Sequence, residues 1–462
     1  MSKKLDALVA LAGIGALSLF LLSCGSSSSR PSGLLYVLTE GSNVSSFAID
    51  LSSGNLSLIN SNASTCTTSG TSCGLPLNII LDPTGATAFV LNEGVPCVQV
   101  VSCVTPCGPS PPLTPCASIP PTIYPYTVNS DGSLPSPGTP IPLSRPTSAQ
   151  DTQDDADLAV AMVRDAAGQF LFVMNQGSNP PPANCQNDPL PQGNFDACPS
   201  ISVFAMKPSL TLAGGSPIHP GSPLHLSRIP TALSAITFTP PGATTAQEFL
   251  FVTSSQDLTA LHNDNTLSVY TVSSSGILNE LTPNSPYSTN PVPLSVVAVN
   301  TNPTVPTSGG VFVYVGSQST GPGALNVFQV CTVVGQGDCT QPDVNSELLK
   351  PVGTPTSVGQ KPVGMVVDPT NKFLYVVNEL SSNVYGFLIN TTAGTLTALS
   401  PANLSTGSQP VALAMHSSGK FLYTSNNNAS SISAFAVSTT SGSMSSLNTV
   451  NSPSGPRGMA AR

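Results

Sequence analysis

An all-β chain closed into a ring of seven blades is the fold class the sequence predicts, and three observations predict it. An aromatic residue followed by Val, or by Thr in the last copy, returns seven times at Tyr36, Phe89, Phe172, Phe251, Tyr314, Tyr375 and Tyr423. Each step lies between two further apolar runs, so each copy holds several strands. Pro (46) and Gly (38) are too frequent for long helices, and the rest is rich in Ser, Thr and β-branched residues.

The cleanest copy spans 361–396 and shows the parts in order. A first strand starts at a proline, as in Pro362-Val363-Gly364-Met365 and Pro410-Val411-Ala412-Leu413. A turn follows at Asp368-Pro369-Thr370-Asn371, matched by 82–85, 164–168 and 416–420; Pro presets φ there, and Gly or Asn accepts a positive φ. His416 takes the place of the aspartate in the last copy, which reads as a turn residue on the face away from the corners. Next come the aromatic-Val strand, a polar corner and a third strand at 44–49, 201–206, 267–272, 325–330, 384–389 or 432–437. An outer strand is marked by Gly and then Leu, as at Gly54 and Leu56, Gly132 and Leu134, Gly276 and Leu278, and Gly394 and Leu396.

The spacing between aromatic positions runs from 48 residues (375 to 423) to 83 (89 to 172). A basic period of roughly 45 with several strands per repeat is that of a β-propeller blade, the longer copies carrying insertions. Those at 97–116, 178–198 and 335–343 are expected as loops over one face, while 149–157 and 211–228 lengthen connections between blades. The chain after residue 33 begins on the aromatic strand of copy one, and 456–461 reads as a first strand with nothing after it. The C-terminal strand is therefore expected to complete the N-terminal blade and remove an exposed edge. One propeller would span 34–462.

Residues 1–24 read as a targeting segment: Lys3 and Lys4 precede an apolar run at 8–22, too short for a comfortable membrane span. The run ends in Leu21-Leu22-Ser23-Cys24, which resembles the bacterial lipobox, whose Cys becomes the lipidated first residue; 25–33 would be a flexible tether. An ordinary signal peptide with an incidental Cys is the alternative. Export to the cell envelope, with membrane contact through a lipid anchor, is the expectation. Ten further cysteines fit an oxidising compartment, and their spacing suggests Cys66 with Cys73, Cys185 with Cys198 and Cys331 with Cys339. Cys97, Cys103, Cys107 and Cys116 allow three pairings. Zinc is the other reading, but no Cys-x-x-Cys pair occurs and no His accompanies the group.

Charged residues make up only 8% of the chain, with a net charge of −9 and no basic run, which argues against nucleic acid as a partner. A phosphate pocket wants several Arg or Lys, and the whole chain has 13. No metal-ligand spacing joins His219, His225, His262 and His416. The acidic group Asp151, Asp154, Asp155 and Asp157 lacks the alternation of a calcium loop. No cofactor motif and no Gly-x-Ser-x-Gly elbow is present.

The string from Pro362 to Glu379 (Pro-Val-Gly-Met-Val-Val-Asp-Pro-Thr-Asn-Lys-Phe-Leu-Tyr-Val-Val-Asn-Glu) and its shorter sister Phe421-Leu422-Tyr423-Thr424-Ser425-Asn426 resemble the seven-bladed β-propeller lactonase family, similar to the YVTN-type repeats of bacterial surface proteins. The likeness covers 34–462 and is best in 360–450. It implies a seven-bladed propeller and, as in characterised relatives, hydrolysis of a sugar-acid lactone such as 6-phosphogluconolactone, a carboxylic ester hydrolysis. The residues that carry it build strands and turns, so function has to be argued from a site.

In a propeller the corner after the aromatic strand and the approach to the next first strand share one face, around the mouth of the central channel. Candidates there are Glu40, Asn92 with Glu93, Asn175 with Gln176, Asn378 with Glu379 and Asn426, and, beside the prolines, Arg145, Arg228, Lys361, Gln409 and Arg457. Lactone hydrolysis needs a carboxylate or His to activate water and a cation or amide to steady the oxyanion. Glu93 or Glu379 with Arg228 is the expected catalytic set, and Glu40, Asn92, Asn175, Asn378, Asn426 and Lys361 are the expected ligand contacts. Polar corner residues can equally cap turns and face solvent. The alternative function is a non-enzymatic, surface-anchored propeller that binds protein or glycan. For the anchor, Cys24→Ala is expected to shift the protein from the membrane fraction to the soluble one; retention would point to another anchor.

Overall fold

The computed structural model describes residues 33–65, 74–93, 121–143, 159–176, 199–206, 211–212, 224–226, 228–239, 245–257, 265–281, 285–301, 310–318, 321–331, 348–453 and 455–462. The targeting segment with Cys24, the tether apart from Gly33, the insertions 97–116, 178–198 and 335–343, the aspartates at 151–157, Arg145, His219 and His262 lie outside the described residues. So do all the cysteines except Cys331, which is disulfide-bonded.

The described strands form seven antiparallel sheets, each led by one of the Pro-led inner strands: Pro456–Ala461, Pro76–Leu81, Ala159–Arg164, Arg228–Phe238, Pro293–Asn300, Pro362–Val367 and Pro410–Met415. Numbered from the N-terminal blade, these are blades one to seven. Blade three begins at Ala159 where the others have Pro or, in blade four, an extension before Pro230. Each inner strand packs on the next around the ring, the last against the first, so the fold is a closed seven-bladed β-propeller.

Closure occurs as the chain ends predict. Pro456–Ala461 pairs with Leu34–Thr39, Leu35 opposite Ala461 and Thr39 opposite Pro456. The main chain of Leu34 and Arg462 exchanges two hydrogen bonds of 3.0 and 2.9 Å. A three-stranded N-terminal blade would leave its inner edge open to other strands; the C-terminal strand covers it.

The aromatic strands are apolar at every step because both of their faces are buried. In Leu34–Thr39, Leu34, Tyr36 and Leu38 pack on blade two, while Leu35 and Val37 pack on blade seven. The same alternation repeats at every interface, so the core is a set of seven clusters, each shared by two neighbouring blades. The third strands fall within a residue of expectation, for example Ser431–Val437. The outer strands differ from it. Only Leu56–Ser64 and Leu396–Ser405 are long, each with breaks in register; elsewhere the outer edge is one or two pieces of two or three residues. In blade two the piece is Ile141–Pro142, well beyond Leu134, which instead packs into the core beside Tyr36.

One contact ties the blades together beyond apolar packing. The hydroxyl of the aromatic-position tyrosine crosses to the next blade and donates to the carbonyl of the glycine before its outer strand. The four instances are Tyr36 to Gly132 (3.0 Å), Tyr314 to Gly394 (2.9 Å), Tyr375 to Gly442 (2.7 Å) and Tyr423 to Gly54 (3.0 Å). Burial pushes the phenols of Tyr314, Tyr375 and Tyr423 up, so all three stay protonated donors. The glycine is held by conformation and by space. Gly394 has φ 73°, and a Cβ there would lie 2.2 Å from the Phe312 ring, two residues before the tyrosine that bonds it.

The face away from the corners is built by side-chain-bonded turns. Asp368 accepts the N–H groups of Lys372 and Phe373 at 2.7 Å each and that of Thr370 at 2.9 Å. At Asp82, burial opposes ionisation, but the Thr84 hydroxyl and the Thr87 N–H hold the carboxyl below its ordinary range. His416 does the same work through Nδ1, which accepts the Ser418 N–H at 3.1 Å.

Two outcomes are expected. Tyr375→Phe leaves the buried Gly442 carbonyl without its donor and should lower unfolding free energy by about 1–3 kcal/mol in urea titrations; an unchanged midpoint would remove the bond from the account of stability. Deleting residues 456–462 should lower the melting temperature sharply, and an unchanged value would count against closure by that strand.

Candidate functional site

The channel mouth is shaped by two local deviations from regular strand geometry. The first is a left-handed residue just before the proline of the inner strand: Val292 (φ 51°), Lys361 (φ 57°), Gln409 (φ 52°) and Gly455 (φ 59°). This conformation costs a side-chain-bearing residue on the order of 1–3 kcal/mol and tends to cluster where a site is built. Here the carbonyl of that residue accepts the N–H of the corner residue: Gln318 on Val292 (3.0 Å), Glu379 on Lys361 (2.9 Å), Asn427 on Gln409 (2.8 Å) and Glu40 on Gly455 (3.1 Å). Corner and approach are thereby fixed together.

The second is a β-bulge one step further in. Every inner strand breaks register directly after its first pairs, between Pro76 and Asn78, Ala159 and Ala161, Pro230 and Ala232, Pro293 and Ser295, Pro362 and Gly364, and Pro410 and Ala412. In blade one, Arg457 and Gly458 lie between the pairs Pro456 with Thr39 and Met459 with Val37. A bulge leaves one residue unpaired and re-aims it. The bulged residue is the one after the proline, and Leu77, Thr231, Leu294, Val363, Val411 and Arg457 all line one central cavity of about 510 Å³.

The polar groups of that cavity come mostly from blades six, seven and one: Glu379, Gln409, Asn427 and Arg457, with Asn78 from blade two. Glu379, 12% exposed in its side chain, is gripped by Lys361 Nζ at 2.8 Å from Oε1 and 2.7 Å from Oε2. Across the N- to C-terminal seam, Glu40 Oε1 accepts from Arg457 Nη2 at 3.0 Å and from Asn427 Nδ2 at 3.2 Å. Arg457 Nε is buried and has no hydrogen-bond partner among the described residues. A positioned carboxylate and a guanidinium therefore line one chamber.

The expected site residues separate into two groups. Glu379 lines the cavity, and Glu40 and Lys361 hold residues that do. Glu93 and Arg228 do not line it. Arg228 stands two residues before Pro230, opposite Asp257 in the rim extension of blade four, whereas Arg457 stands one residue after Pro456, on the bulge. The guanidinium of the chamber is Arg457, a candidate by its proline but not the one expected to act. The four asparagines sit one residue short of the corner and are buried. Asn92 donates to the Thr65 carbonyl (3.2 Å), Asn175 to Ser200 Oγ (3.1 Å), Asn378 to Asn383 Oδ1 (2.9 Å), and Asn426 to Ser431 and Ser433 Oγ (3.1 and 2.9 Å). Asn175, Asn378 and Asn426 brace the corner from inside their own blades, and Asn92 ties blade two to the end of blade one. Among the described residues no group of His, Cys, Asp and Glu is placed to hold a metal ion.

Fold and mouth together define a seven-bladed β-propeller with a polar sector at one side of its channel. Residues 342–462 match the family described as lactonase, 7-bladed β-propeller. Solved structures of similar fold include a candidate 6-phosphogluconolactonase from Bacteroides uniformis, with 13% identity, 93% of this chain and 99% of that one covered, and a TM-score of 0.57. Another from Bacteroides fragilis gives 13% identity, 94% and 99% coverage and a TM-score of 0.57. A periplasmic gluconolactonase from Pseudomonas aeruginosa gives 17% identity, 93% and 98% coverage and a TM-score of 0.51. At these identities the likeness is one of fold. No curated protein matches the chain in sequence.

Proposed function

We propose that the protein is a lactonase, opening a cyclic ester by addition of water at the channel mouth. The observation that carries this reading is a coincidence of place. The matched segment, 342–462, is the part of the chain that supplies Glu379, Gln409, Asn427 and Arg457 to the cavity, and Lys361 to hold Glu379.

The chemistry asked of these groups is modest. Glu379, oriented by Lys361, takes a proton from water as the water oxygen attacks the lactone carbonyl carbon. Arg457, held at Nη2 by Glu40, turns its remaining donors to the carbonyl oxygen as that oxygen gains charge. The ring C–O bond breaks, the leaving oxygen recovers the proton from Glu379, and a hydroxy acid departs. Export with a lipid anchor at Cys24 belongs to the same proposal, supported by the basic start, the apolar run and the Cys that ends it. A propeller of this fold named as a periplasmic gluconolactonase is in keeping with such an address.

The test is turnover of a lactone panel by the purified protein, followed as acid release. Glu379→Gln should lower kcat/KM by about 10²–10⁴, and Arg457→Gln by about 10²–10³. Glu93→Gln and Arg228→Gln, outside the cavity, should leave it within a few-fold. No turnover above buffer on any lactone would sink the reading and leave the propeller as a binding protein for glycan or protein.

A further inference from the structure

We infer that the chamber takes a lactone, and its hydroxy acid, bearing an alkyl substituent that is buried in the channel, in preference to a sugar or sugar-phosphate lactone. The inference deepens the hydrolase proposal and rests on it for the word lactone; the binding preference stands on the geometry of the cavity.

Six of the seven bulges aim one residue each at the cavity, and those residues form a collar below the mouth. Leu77, Leu294, Val363 and Val411 are aliphatic, Thr231 is a hydroxyl and Arg457 a cation. Leu294, Val363 and Val411 are only half-buried and belong to none of the interblade core clusters, so their free surface is turned to the cavity. The hydroxyls at this level are already engaged: Thr231 Oγ1 with Thr253 Oγ1 at 2.9 Å, and Ser295 Oγ with the Pro362 carbonyl at 2.8 Å. Among the described residues no aromatic ring lines the cavity for a sugar face to stack on.

Charge points the same way. The two cations of the mouth are each matched by a carboxylate, Lys361 by Glu379 and Arg457 by Glu40. Among the described residues lining the cavity a phosphate dianion would meet no surplus positive charge, and burial without it is costly. An ester or carboxylate head needs less: the Arg457 guanidinium and the Gln409 amide lie on the blade seven and blade one side of the cavity. At blade five, adjoining blade six, the rim presents Val292, 45% exposed, two residues before Leu294. A ligand polar at one end and aliphatic along its length meets both kinds of surface.

Two measurements test this. Calorimetry with a 5-hydroxyalkanoate series from pentanoate to dodecanoate, against gluconate and 6-phosphogluconate, reads the cavity whether or not catalysis occurs. Affinity should rise about three- to fourfold per methylene until the channel is filled, and Leu294→Ser and Val411→Ser should flatten that slope with pentanoate-chain affinity little changed. Hydrolysis of the matching 5-alkyl δ-lactones, against glucono-δ-lactone and its 6-phosphate, should show the same rise in kcat/KM. Chain-length-dependent binding without turnover would keep this inference and remove the lactonase reading. Turnover of lactones with flat chain-length dependence would do the reverse. Tighter binding of gluconate or 6-phosphogluconate than of every alkanoate, or no binding by either series, overturns the inference. Should the serine variants fail to fold, the slope measured on the unaltered protein decides.

Discussion

A phenolic hydroxyl that crosses from one blade to the next is the interaction on which the rest depends. Apolar packing between blades is strong but tolerant of sliding, because aliphatic surfaces have no preferred register along a strand. The bond from Tyr375 to the Gly442 carbonyl, with Phe373 closing over the same glycine, removes that freedom at one point per interface. It occurs at the interfaces five to six, six to seven, seven to one and one to two. Blades six, seven and one, which supply Glu379, Gln409, Asn427 and Arg457, are thus fastened on both sides. Phe89, Phe172 and Phe251 take the tyrosine's place in blades two to four, where no hydroxyl is available to cross.

That distribution gives a physical reason for where the polar sector lies. A carboxylate and a guanidinium contributed by different blades keep a useful separation only if the blades do not shift against each other. The seam between chain ends is the hardest case, since no covalent connection crosses it. There the Glu40 to Arg457 ion pair, half exposed and modest on its own, sits above a full strand pairing and beside the Tyr423 to Gly54 bond. The backbone strain at Lys361 and Gln409 is offset in the same manner, through the carbonyls that the corner N–H groups require.

The scaffold was legible in the chain because its signals are periodic. The aromatic step, the proline before it and the glycine after it recur, and where the aromatic residue is Tyr it meets the glycine of the neighbouring blade. The site was less legible, and the bulge is the reason. Strict alternation puts the residues of an inner strand alternately toward one neighbour and the other; an extra residue after the proline breaks the count and turns one position to the lumen. Arg228 and Arg457 look equivalent when judged by closeness to a proline. Only Arg457 is on the extra residue. A similar offset of one separates Asn378, buried against Asn383, from Glu379, which lines the chamber. Polarity alone could not tell them apart; the phase relative to Tyr375 does, as it does for Asn426 and Asn427 relative to Tyr423.

The recurrence of that extra residue gives the molecule an unusual freedom. A collar position makes no ladder pairing and takes little part in the cores between blades, so its side chain can change while the strands around it stay as they are. Six of the blades place such a residue on the same central cavity. Lining chemistry and scaffold are thus largely decoupled, and new specificities are reachable through single replacements drawn from around the circle.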